Sequence, residues 1–186
     1  MSQPARPVRN RVSAVLAMAG AFVTVAATFL PWYAGDVLLV RPAPGREGDG
    51  TASGIELTLG LVVLIVALVL LVLGFADSRG AARGRWLAAV TLGVSLLLCA
   101  GSGYAALTPE SAVTRVEGAR ISNFLGVDAG RFKDVLVRGF DEGDLEVRPA
   151  IGAYLALAGA ALAAAGSIWG VRAARREDPA PPSPID

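Results

Sequence analysis

The chain has 186 residues, 54% of them apolar, with 17 basic and 16 acidic side chains and a mean hydropathy of +0.55. That is too apolar for an ordinary soluble domain, and the apolar residues are clustered rather than spread. Histidine is absent and Cys99 is the lone cysteine, so an intramolecular disulfide is excluded and neither a metal nor a cofactor is expected.

Four stretches carry no charged residue: Val12–Gly35, Leu57–Ala76, Trp86–Pro109 and Pro149–Val171. A helix rising 1.5 Å per residue needs about 20 apolar residues to span the roughly 30 Å hydrocarbon core. It also satisfies its own backbone, which lipid cannot do. Four membrane-spanning helices are therefore expected.

The chain opens with Arg6, Arg9 and Arg11 in the segment 1–11. The first apolar run, 12–35, closes on Phe29-Leu-Pro-Trp-Tyr33, in which Trp32 and Tyr33 read as interfacial anchors. A cleaved signal peptide is the alternative, given the basic start and the small residues at Ala26-Ala27. The run is longer than the apolar core of about 7–15 residues usual in such peptides, so a retained helix is expected.

Loop 36–56 begins with the β-branched run Asp36–Val40, continues through the turn-rich Pro42–Gly50, and suggests a short hairpin. Glu56 abuts the start of the second helix, where it favours the positive end of the helix dipole. The second run, 57–76, is rich in Leu and Val and suits a lipid-facing position. A short basic segment, 77–85, leads to the third run, 86–109.

Loop 110–148 is long. Thr108-Pro109-Glu110 has the form of a helix N-terminus: a cap, proline at the first position and an acid in the first turn. An amphipathic helix comes next, with Phe132, Val135, Leu136 and Phe140 on one side and Arg131, Lys133, Asp134 and Arg138 on the other. Leu145–Arg148 is a candidate strand pairing with the first loop.

The fourth run, 149–171, is mostly alanine. Gly152, Ala156, Gly159, Ala163, Gly166 and Gly170 recur at alternating spacings of four and three residues. That 3.5-residue seam of small side chains lets a neighbouring helix approach at about +20°. The tail, 172–186, carries Arg172, Arg175 and Arg176 and then a proline-rich stretch expected to be disordered.

Charge sets the orientation. Segments 1–11, 77–85 and 172–186 hold nine arginines and four acids, a net of +5. Loops 36–56 and 110–148 hold eight basic residues and twelve acids, a net of −4. Arginine-dense short segments stay in the cytoplasm, so both termini are expected inside and the two loops outside. Trp32, Tyr33, Tyr104 and Tyr154 then fall at outer ends, and Trp86 and Trp169 at inner ends. The expected fold is an all-α membrane protein: four antiparallel transmembrane helices, with outer loops carrying a hairpin and an amphipathic helix.

No Walker loop, GxSxG or HExxH motif occurs. No charge lies inside the four cores, where carriers and pumps place ionisable groups, so transport of a small solute is disfavoured. The nearest thing to a catalytic cluster is Asp141, Glu142, Asp144 and Glu146, which reads as a solvated turn. An enzyme is not expected. The basic residues form no stripe, and nucleic acid is not expected as a partner.

The leading expectation is a non-enzymatic accessory or scaffold protein of the cell membrane whose outer loops contact another envelope component. The alternative is a protein handling lipid or an apolar ligand in a pocket between the bundle and the second loop. Candidate contact residues are Trp32, Tyr33, Glu56, Phe132, Leu136 and Phe140; membrane lipids are the other partner, and the oligomeric state is left open.

Phe29–Tyr33, Ser53-Gly-Ile-Glu-Leu57 and Pro149-Ala-Ile-Gly-Ala-Tyr-Leu155 carry a resemblance to small tetraspan membrane proteins common in actinobacteria, over the whole chain. The resemblance implies the fold and a bacterial plasma-membrane location, and no function. The layout also looks like that of claudin-type tetraspans, but the extracellular cysteine pair of that group is missing and its function is not carried over.

Overall fold

The structure, a computed structural model, describes residues 8–35, 50–78 and 85–176. Four long helices dominate it: α1 (Val8–Ala27), α2 (Thr58–Ser78), α3 (Arg85–Leu107) and a long C-terminal helix, Ile151–Arg176. Between α3 and that last helix lie a single turn, α4 (Pro109–Ala112), a π turn (Val113–Glu117), α5 (Gly118–Leu125) and α6 (Ala129–Glu142). The C-terminal helix is therefore α7. It packs against α1 and α3, and α2 packs against the same two, so the long helices close into a ring.

Helices α2, α3 and α7 are each long and apolar enough to cross a membrane, and α1 adds a shorter apolar stretch, Val12–Ala27. Their outward faces are apolar to a degree that water does not tolerate. Val72 of α2 is 68% exposed, Leu97 of α3 67% and Phe22 of α1 65%. Lipid is the solvent that suits such a surface.

The interior is built from small side chains. Gly152, Gly159 and Gly166 of α7 all face α1. A Cβ added to Gly159 would lie 2.7 Å from the Gly20 carbonyl oxygen, and one added to Gly166 would lie 2.7 Å from the Ala17 nitrogen. Ala156 and Ala163, between them, are fully buried, and Gly170 approaches Ser13. The seam of α7 thus lies against α1 over most of the length of α1, antiparallel to it. Helix α1 meets it with a seam of the same period, Ser13, Ala17, Gly20, Thr24 and Ala27, which the sequence alone did not single out. Small residues on both sides let the two backbones approach this closely, and that close packing holds them together.

Hydroxyls complete the seams. Thr24 donates to the Gly20 carbonyl on its own helix and reaches the Ala156 carbonyl across the interface at 3.3 Å. Ser95 of α3 and Ser167 of α7 share a hydrogen bond of 2.7 Å. Ser102 is fully buried, and its hydroxyl has no partner among the described residues.

Two boundaries and one cap differ from those expected. Helix α1 stops at Ala27, and Pro31–Gly35 form a strand, β1, rather than the last turns of a membrane helix. Proline at 31 explains this. It has no N–H to give the Ala27 carbonyl, and its ring clashes with a helical preceding turn. The Ala27 carbonyl is satisfied instead by the Leu30 amide and the Trp32 indole N–H. At the other end, α7 runs on to Arg176, past the expected start of the tail; residues 177–186 lie outside the described part. Thr108 does not cap α4 with its side chain, because its hydroxyl donates back to the Tyr104 carbonyl at 2.8 Å.

A three-stranded antiparallel sheet closes one end of the ring, in the order β2 (Gly50–Ser53), β1, β3 (Val147–Pro149). Tyr33 pairs with Ala52 on one side and Pro149 on the other. The expected strand at Leu145–Arg148 thus begins two residues later, at Val147, and pairs with 33–35 rather than with the first loop. Leu145 instead ends α6, its amide on the Gly139 carbonyl. The expected run Asp36–Val40 lies outside the described residues.

Candidate functional site

The end of the ring that carries the sheet also carries everything between α3 and α7, and it is where the candidate contact residues gather. They sort into two sets, one buried and one on a helical cap.

Trp32 and Tyr33 are 0% and 1% exposed. Neither presents a surface to a partner or a bilayer interface. The indole sits between two backbones: a Cβ on Gly54 would lie 2.7 Å from Nε1, and one on Gly152 2.7 Å from Cδ1. The Trp32 carbonyl accepts the Ala150 amide at 2.7 Å. Leu30 accepts from the Gly54 amide and Thr28 from the Ile55 amide. Trp32 is therefore the bolt joining the ends of α1, the turn before α2 and the start of α7. The three short motifs that carried the sequence resemblance meet around it.

Tyr33 donates its hydroxyl to the Ala105 carbonyl at the end of α3, 3.1 Å away. Burial pushes its phenol pKa well above the ordinary value, and the charge of Glu117 and the neighbouring Tyr104 push the same way.

Glu56 was expected to serve the dipole of α2. Its carboxylate instead takes the amide and the hydroxyl of Ser53, both at 2.9 Å, closing the 3-10 turn Gly54–Glu56. The acid that meets the start of α2 is Glu117. It accepts from the Leu59 amide and the Thr58 hydroxyl, each at 3.3 Å, and its side chain is 5% exposed. Two features favour a carboxyl there: the free amides of a helix N-terminus and the positive end of the helix dipole. Arg120, 3.9 Å away and largely exposed, adds a positive charge and donates to the Glu56 carbonyl.

No sequence rule would have found Glu117. It lies 58 residues from its partner amide, in a stretch that reads as one polar face of a loop helix. Its position depends on the π turn that it ends. A π turn adds a residue to the helical turn and so rotates the helix beyond it; such turns recur at functional sites.

The cap is α5 and α6 on that turn. Asp128 caps α6 by accepting the Arg131 amide at 2.9 Å, and Gly126 and Gly143 end α5 and α6 in the left-handed region, at φ 66° and 77°. Leu136 is buried, and Phe132 and Phe140 are partly buried, with Phe140 reaching the edge of the bundle core. Val135, expected on the same face, is instead 64% exposed. It lies a further 100° round the helix from Leu136, beyond the reach of α5. The opposite side, Asp134, Val137, Arg138, Asp141 and Glu142, lines a shallow open depression. Asp144 and Glu146, with Asp141 and Glu142, are exposed, and Glu146 pairs with Arg148 at 2.6 Å. Among the described residues, no cluster of three metal-ligating side chains occurs.

No family model, curated protein or solved structure matches this chain.

Proposed function

We propose that this is a non-enzymatic accessory or scaffold protein of a bacterial plasma membrane, crossing the bilayer four times with both ends inside, whose cap docks on another envelope component. The observation that carries the reading is the cap itself. An ordered helical pair, with capped ends and its own buried residues, stands on one end of an apolar bundle whose interior is small side chains and hydroxyls.

The fourth crossing is supported by the partnership of α1 with α7: a helix matched to a membrane helix along its whole seam shares its solvent. Orientation is supported by the arginine asymmetry and by the position of the acid-rich cap. In a Cys99→Ser background, a cysteine at Gly143 is expected to react with an impermeant maleimide on intact cells. One at Ser78, at the other end of the bundle, is expected to react only after permeabilisation. Labelling at 78 on intact cells overturns the orientation.

The test of function is purification in mild detergent with identification of what comes along. A stoichiometric protein is expected, and Val135→Glu with Val137→Glu is expected to remove it without lowering thermal stability. Both side chains are exposed on α6, so the loss reads an interface and not the fold. A monomer carrying only lipid would reject the scaffold reading.

A further inference from the structure

We propose that α5 and α6 form a lever hinged on the π turn, and that Glu117 is the latch holding it on the start of α2. The proposal rests on reading the cap as the docking element, and adds how docking there is felt by the bundle.

Helices α5 and α6 pack on each other and on the π turn, and the π turn packs on α2. Leu136 lies against the turn's end, where a Cβ on Gly118 would be 3.6 Å from its Cδ1. The lever meets the membrane helices through this short segment, with Phe140 of α6 reaching the edge of the bundle core beside it. That segment is irregular and is preceded by a break at Thr108-Pro109, so the helical path from α3 does not stiffen it.

Val113 anchors the start of the turn, fully buried in the bundle core, and the tie at its other end is polar. The Glu117 carboxylate reaches the Leu59 amide and the Thr58 hydroxyl, and Arg120 repeats the crossing on the Glu56 carbonyl. A carboxyl buried at this depth has given up its water, and those partners are what replace it. Hydrogen bonds to a charged group are worth more than neutral ones, and these lie across one boundary. The groups facing Glu117 are Thr58 and the Leu59 amide from α2, Arg120 from α5 and Tyr33 from β1, whose phenol feels its charge. The latch thus joins the π turn, α5 and the start of α2. A partner that pulls on α6 acts on the first turn of α2, and by linkage a change at α2 acts on the partner's affinity.

The experiment measures distances between nitroxides by pulsed electron resonance on the full chain, in a Cys99→Ser background. One pair sits at Thr51 and Asp141, both exposed, on the sheet and the lever; a control pair sits at Ile65 and Leu162 on the bundle. The native chain is expected to give one narrow distance for each. Glu117→Gln keeps the shape and removes the charge. It is expected to raise the undocked population roughly tenfold or more, seen as a second, longer distance for the first pair alone. Glu117→Ala is expected to do the same more strongly. If the first pair is unchanged in Glu117→Gln, there is no latch; if both pairs broaden alike, Glu117 serves the fold as a whole and the lever is rejected. Neither result depends on a partner being found, so a failed latch and an absent partner give different outcomes.

Discussion

Replacing Gly159 with leucine is expected to prevent α1 and α7 from closing, at a cost of about 3 kcal/mol or more. The reason is geometric. A Cβ at 159 would meet the Thr24 hydroxyl at 2.6 Å, the Gly20 carbonyl at 2.7 Å and the Thr24 amide at 2.9 Å. Two of those atoms are backbone, so no rotamer change relieves them. The Gly20 side of the contact is as tight: a Cβ there would lie 2.4 Å from the Gly159 carbonyl. Separating the helices also breaks the Thr24 contact with Ala156 and opens the seam through Ala163 and Gly166. The comparison is Gly93→Leu on α3, where an added Cβ meets nothing within 4 Å. Gly93→Leu exposes an apolar side chain to lipid and replaces a poor helix former, so it is expected to be neutral or mildly stabilising. Thermal unfolding of both variants in detergent checks this. Equal stability of the two would mean that α1 and α7 do not pack as described.

The contrast between those glycines shows what was legible in the sequence. Period and side-chain size are local properties, and they were enough to place the seam of α7 and the long apolar helices α2, α3 and α7. The matching seam on α1 was equally periodic. It was harder to see because Ser13, Ala17, Gly20, Thr24 and Ala27 mix three chemistries and lie among other small residues. The amphipathic helix α6 was legible from Phe132, Leu136 and Phe140; its ends, at Asp128 and Gly143, came only from the structure. What was not legible depends on distant pairing. Trp32 and Tyr33 have the composition of an interfacial belt, and only the arrival of Gly54 and Gly152 on either side makes them interior. Glu117 has the composition of a solvated acid, and only the π turn and the free amides of α2 make it a buried one. Glu56 stood in the place that the helix-dipole rule assigns, but Ser53, three residues before it, offered a closer pair of donors.

Trp32 offers the other large effect. Trp32→Ala is expected to destabilise the protein by about 3–5 kcal/mol, although in the sequence it stands at the place where exposed aromatics are common. Three losses combine. The side chain is fully buried, so its removal leaves a cavity, and the glycines that enclose it have no side chains to collapse into that space. The Ala27 carbonyl loses the indole N–H, which stands 2.9 Å away and compensates for the proline at 31. The end of α1 then loses its fixed relation to Gly54 and to the first turn of α7, where the Ala150 amide bonds to the Trp32 carbonyl. Trp32→Phe separates the first loss from the second: it keeps most of the volume and gives up the N–H, and is expected to cost about 1–3 kcal/mol. Tyr154→Ala is the reference for a lipid-level aromatic, since Tyr154 is 51% exposed, and is expected to cost less than either. The measurement is thermal unfolding in detergent, together with tryptophan emission in a Trp86→Phe, Trp169→Phe background, where Trp32 is the remaining tryptophan. A blue-shifted emission that acrylamide does not quench is expected from the buried indole. An acrylamide-sensitive Trp32, or a Trp32→Ala variant no less stable than Tyr154→Ala, would return this residue to the membrane surface and take the bolt between α1, α2 and α7 with it.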